Sequence, residues 1–153
     1  MDKIITRESH PGDMIETSLL LLVRASQKVR PKFSGTIFKA EHYLEGWCVI
    51  RCGTARTCGH TTAAVNFARQ FFEHPVFVFG YATNAEKISQ KFKISRHFCA
   101  HYAKLDDLRG LDFDCMVLDD ASGANPEHVK AALAVAAGNV YNHAEEICIL
   151  MMG

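Results

Sequence analysis

The stretch Cys52-Gly53-Thr54-Ala55-Arg56-Thr57-Cys58-Gly59-His60-Thr61-Thr62 follows the apolar run Trp47-Cys48-Val49-Ile50 and opens into a helical pattern, Thr61 to Phe72. An apolar strand, a loop punctuated by glycine and a helix that begins with hydroxyl side chains form the layout that cradles phosphate groups. The helix N-terminus points unpaired backbone N–H groups at whatever sits in front of it. Gly59 lets the backbone come close without a side chain in the way. The same residues also suit a plain loop and helix start, because Thr near a helix N-terminus often serves as a cap alone.

Working outward, strands and helices alternate. Asp13 followed by Glu16 has the form of a capping box, and a helix is expected from there to about Lys28, stopped by Arg30-Pro31. Residues 33–45 are ambiguous, with Thr36-Ile37-Phe38 as a short strand and Lys39 to Leu44 as a helical turn. The first firm strand is expected at Trp47 to Arg51. Ala64, Val65, Phe67, Ala68, Phe71 and Phe72 recur at three- and four-residue spacing, the mark of an amphipathic helix. Val76-Phe77-Val78-Phe79-Gly80 reads as a strand buried on both faces. Asn84 is placed to cap a polar helix through Phe92. Cys115-Met116-Val117-Leu118 is another apolar run, cut off by Asp119-Asp120. Asn125-Pro126-Glu127 combines a cap, a Pro at the first helical position and an early acid, and Val129, Leu133, Ala136 and Val140 mark that helix's buried face. Ile147 to Met152 closes the sheet.

Alternation of this kind predicts a three-layer α/β/α domain with a mainly parallel sheet, spanning 1–153, with 1–32 as an N-terminal helical segment and 45–153 as the core. In such sheets ligands bind beyond the carboxyl ends of the strands. The glycine loop and Asp119-Asp120 are both expected there.

Composition narrows the classes. The 153 residues are 48% hydrophobic and 22% charged, which suits one globular domain. Acidic and basic residues balance at 17 each, so net charge does not advertise nucleic acid, although Arg24, Lys28, Arg30 and Lys32 form a local basic cluster. The N-terminus lacks the apolar core of a secretory signal, and Leu19 to Val23 is too short to cross a bilayer. No membrane association and a cytoplasmic location are expected. Of six cysteines, Cys48, Cys115 and Cys148 lie in apolar runs and read as small reduced hydrophobes. Two clusters raise zinc, Cys52 with Cys58 and His60, and His97 with Cys99 and His101. Neither has the paired spacing of a structural site, and the reduced reading prevails.

The loop and the Asp pair together resemble a P-loop NTPase, and their spacing is similar to that of the RecA-like class of helicases and viral terminases. In the frame G-x-x-x-x-G-K-[ST], Gly59 and Thr61 match, His60 stands where the Lys belongs, and Thr54 stands at the first Gly, with Gly53 one residue early. The loop is thus similar to a degenerate Walker A motif. Leu108 to Asp120 resembles the Walker B motif, an apolar strand ending in Asp-Glu. Small phage-encoded proteins carry a similar Gly-His-Thr-Thr loop, which implies a viral setting.

The resemblance implies a minimal P-loop NTPase-like core that binds ATP or another nucleoside triphosphate with Mg²⁺. Arg56 and the loop residues Thr57, Cys58, Gly59, His60, Thr61 and Thr62 would hold the phosphates. Thr61 and Asp119 would serve the metal, and Asp120 would orient attacking water as the catalytic residue. A protein partner or a second copy would supply what family members carry beyond their last strand, and nucleic-acid metabolism is the implied setting. His60 offers less positive charge than Lys at neutral pH. An inactive pseudo-NTPase serving as an interaction module therefore stands beside the NTPase, with a small phosphotransferase third, because the Arg-rich lid is absent.

Overall fold

A computed structural model describes residues 11–53 and 59–153. Helix α1 (Pro11–Val29) is followed by a turn and a short helix, α2 (Ala40–Tyr43), which runs on into a π-helical turn at Leu44–Cys48. Then come β1 (Val49–Cys52), α3 (His60–Phe71), β2 (Pro75–Phe79), α4 (Ala82–Phe92), β3 (Cys99–His101) and β4 (Cys115–Leu118). The last elements are α5 (Pro126–Ala137), α6 (Val140–His143) and β5 (Cys148–Met152). The five strands form one sheet in the order β1-β5-β4-β2-β3, and every pairing is parallel.

Parallel strands need crossovers, and the crossovers cover both faces of the sheet. The side chains divide accordingly. Val76, Val78, Met116, Leu118, Ile149 and Met151 pack with Leu133 and Ala136 of α5 and with Tyr43 of α2. Phe77, Phe79, Val117, Leu150 and Met152 pack on the opposite face with α3, α4 and α1. Helix α3 places Ala63, Ala64 and Ala68 among its buried residues, and these short side chains bring its axis close to the sheet. The architecture is the expected three-layer α/β/α arrangement, with a sheet that is wholly parallel.

Several local expectations are corrected. Helix α1 begins at Pro11, so Asp13 lies within its first turn, where its carbonyl accepts a 2.9 Å bond from Thr17 Oγ1. Thr36 and Ile37 form a turn rather than a strand. Trp47 and Cys48 belong to the π-helical turn, so β1 starts at Val49. Asn84 is inside α4, whose N-cap is Tyr81. Phe71 is exposed, whereas Phe67 and Phe72 are buried. Val140 is buried, but from α6, because α5 ends at Ala137. Asn139, in the break, accepts the Phe113 N–H at 3.1 Å.

The buried cysteines behave as hydrophobes. Burial pushes the Cys48 thiol up to about 11, against the pull of Arg30, and raises Cys115 and Cys148 as well. Neutral thiols suit an apolar interior. Among the described residues no helix is long and apolar enough to cross a membrane.

The start of α5 is built as the sequence indicates, with Asn125 Oδ1 accepting the Glu127 N–H at 2.9 Å and Pro126 at the first position. Asn125→Ala is expected to cost about 1 kcal/mol and lower Tm by about 2–4 °C, read by thermal melting.

Candidate functional site

Register brings the two polar motifs level. Cys52 of β1 pairs with Met152 of β5, and Leu118 of β4 pairs with Met151, so Asp119 stands one step beyond, beside Met152. The strand that leads into the glycine loop and the acid that ends β4 thus reach the same edge, with β5 between them. The chain is laced there by backbone bonds from Gly153 N to Cys52 O, 3.0 Å, and from Ala121 N to Met152 O, 2.9 Å.

Helix α3 starts at this edge. Its N-cap, Gly59, has φ 69°, a left-handed conformation that L side chains rarely adopt. Gly59 brings no side chain to cap the helix, and the first turn holds no acid. The positive end of the helix and its first N–H groups therefore lie at this edge.

The first turn of α3 meets the end of β4 directly. Thr61 Oγ1 donates to Asp119 Oδ1 at 2.8 Å. His60 Nε2 lies 3.5 Å from the same oxygen, an electrostatic contact rather than a short hydrogen bond. His60 is only 8% exposed, and its Nδ1 is buried with no hydrogen-bond partner among the described residues. A buried polar atom in that state costs about 1–3 kcal/mol and invites a ligand to satisfy it.

Asp119 is fixed from three sides. Its N–H donates to Val78 O at 2.9 Å, its carbonyl accepts the Tyr102 hydroxyl at 2.7 Å, and its carboxylate takes Thr61. Burial raises the pKa of its carboxyl. The Thr61 bond and His60 pull it down without reversing the shift, and Asp120 adds to the rise. Tyr102, itself buried and with its pKa raised first by burial and then by the two Asp side chains, stays a donor.

Asp120 takes φ 49°, another left-handed residue, and its carboxylate lies against Gly123. A Cβ at Gly123 would come within 2.9 Å of both carboxylate oxygens, so Gly123 leaves room for this side chain. Gly153, at φ 93°, passes close to the Asp120 backbone. Beside Asp120, between the ends of β2 and β4, lies a cavity of about 190 Å³ lined by Tyr81, Tyr102, Asn125 and His128. On the other side, a hollow of about 220 Å³ touches Cys52, Gly53, Ser122 and Gly153.

The structure therefore brings together Gly59, His60, Thr61, Asp119 and Asp120, with the half-buried Thr62 in the same first turn of α3. Arg56, Thr57 and Cys58 lie outside the described residues. Tyr102 is the positioning residue that sequence reading missed. It follows β3, a three-residue strand with little apolar signal. Of the two zinc alternatives, the one with Cys52, Cys58 and His60 includes a residue outside the described ones, and among the described residues no group of three or more His, Cys, Asp or Glu is placed to hold a metal ion. Arg109 is exposed on the surface, 3.5 Å from Asp106. A hollow of about 300 Å³ around Arg69, His74, Lys93 and Ser95 lies at the amino ends of the strands, opposite the edge where parallel sheets take ligands.

Compared with protein-family models, with curated proteins and with solved structures, the chain matches none.

The raised pKa of Asp119 has a stability consequence. Because the folded protein holds this proton more tightly than the unfolded chain, the group favours folding at acid pH, and stability falls as pH rises through the folded pKa. Asp119→Asn keeps an oxygen for Thr61 and removes the charge. It is expected to raise Tm by about 2–4 °C near neutral pH, with the gain vanishing at acid pH, in melts across a pH series. A loss of stability at every pH would show that the charge is fully compensated in the fold.

Proposed function

We propose that this chain binds a nucleoside triphosphate such as ATP with Mg²⁺ at the loop between β1 and α3, and hydrolyses it slowly at most. One observation carries the reading. The Thr61 hydroxyl and the Asp119 carboxylate, 58 positions apart in sequence, meet at 2.8 Å at the first turn of a helix whose N-cap is a glycine, at the carboxyl edge of a parallel sheet. The orphaned Nδ1 of His60 supports it from the same turn.

The donor set fits the metal. Mg²⁺ prefers oxygen and is commonly held by one or two protein oxygens together with phosphates and water, rather than by a cage of side chains. A hydroxyl and a carboxylate at one point match that demand. When bound, Mg²⁺ would neutralise charge on the phosphate oxygens. The N–H groups of α3's first turn would receive phosphate oxygens, and His60 would give a hydrogen bond where Lys gives a full charge. Asp120 would orient water for attack, from the room that Gly123 leaves for its side chain.

A second reading has its own observation. Thr61, His60 and Asp119 already contact one another, so the carboxylate oxygen that a metal would take is already engaged within the protein. A pseudo-NTPase, keeping the shape of the site as an interaction module for a host or viral protein, would look like this. Nucleic-acid or viral metabolism is the setting proposed for either form.

Titration calorimetry with Mg-ATP separates the two. The nucleotide reading expects heat from the wild type, at least tenfold weaker binding in Thr61→Ala, and tighter binding in His60→Lys. No heat from the wild type and none regained in His60→Lys would overturn it. Equal binding by Thr61→Ala would remove the metal role of that hydroxyl.

A further inference from the structure

Helix α1 buries Ile15, Leu19 and Val23 against the body of the domain, chiefly α3. Its other face is also apolar. Met14 is 47% exposed, Leu21 65%, Leu22 43% and Val29 65%, and Ala25 is exposed between them. Positions 14, 18, 21, 25 and 29 recur at spacings of four, three, four and four, so Met14, Ser18, Leu21, Ala25 and Val29 form one continuous stripe along the outside of the helix. Surface hydrophobes scattered singly need no explanation, but an aligned row does. This spacing is the seam on which two helices pair.

The charges along one flank select the occupant. Asp13 stands in the first turn and Lys28 in the last, with Arg24 between them on the same side of the stripe. None of the three makes an ion pair among the described residues. When two copies of one helix pair antiparallel about a two-fold axis, each flank meets the same flank of its partner. With Leu21 at the centre, Asp13 lies eight residues before it and faces Lys28 and Val29, seven and eight residues after it. Acid then meets base twice, once at each end, and the two helix dipoles oppose. A parallel pairing sets this flank against the partner's opposite flank, where Asp13 meets no Lys28.

We infer that the outer face of α1 is a homodimer interface, in which two copies pair antiparallel across Met14, Ser18, Leu21, Ala25 and Val29. The pairing does not depend on a nucleotide, and it places the interface on the far side of α1 from α3.

Sedimentation equilibrium of the full chain without nucleotide, over about 1 to 200 µM, tests it. The wild type is expected to move reversibly between the 17.1 kDa monomer and twice that mass. Leu21→Glu changes an exposed position, so it should keep the wild-type far-UV circular dichroism yet remain monomeric across the range. Asp13→Lys alone is expected to weaken the dimer roughly tenfold, through two lost attractions and two new repulsions, and Asp13→Lys with Lys28→Asp should restore it. A monomer at every concentration would overturn the inference, and so would a dimer indifferent to Leu21→Glu. A dimer lost in Leu21→Glu but not rescued by the paired charge reversal would overturn the antiparallel arrangement.

Discussion

The hydrogen bond from Thr61 Oγ1 to Asp119 Oδ1 is the contact on which the carboxyl edge of this molecule is organised. It joins the first turn of α3 to the end of β4 across the width of β5. Everything else at the edge is arranged around it. Tyr102 and Val78 hold the Asp119 backbone, Gly59 turns the chain into α3, and His60 closes on the same carboxylate. The bond exists because parallel strands must all present their carboxyl ends together, and because small alanines let α3 lie close to the sheet.

That arrangement has a cost, and the cost bears on function. A carboxyl whose pKa is raised by burial, an imidazole nitrogen without a partner among the described residues and a left-handed Asp120 all sit at this edge. Proteins keep such features where a ligand repays them. A phosphate-bearing ligand with a hard cation answers the first two at once. On the proposed nucleotide reading, His60 where a P-loop would carry Lys favours binding with little turnover.

Much of this was legible in the sequence, for physical reasons. Asn125-Pro126-Glu127 names a helix start because each residue removes one specific cost of beginning a helix. Leu118-Asp119 names a strand end because a buried strand cannot continue through a pair of acids. The pattern puts Asp119 at the carboxyl edge, whereas its nearness to Thr61 is implied only by the resemblance to a P-loop NTPase. Other parts carried no such signal. Trp47 and Cys48 are apolar whether in a strand or a π-helical turn, so the run could not fix the first residue of β1. β3 is three residues long, and its pairing with β2 comes from tertiary contact rather than from pattern. Tyr102 follows that hidden strand, so its role on the Asp119 carbonyl was invisible. The outer stripe of α1 was present in the spacing, but only the structure shows which side of an all-round apolar helix is buried.

The most direct measurement is a double-mutant cycle on folding stability with Thr61→Val, Asp119→Ala and the pair together, each by denaturant unfolding. If the hydroxyl–carboxylate bond organises the edge, the two changes are coupled by about 1 kcal/mol or more, the range for side chains in direct contact. Strict additivity of the two substitutions would contradict it.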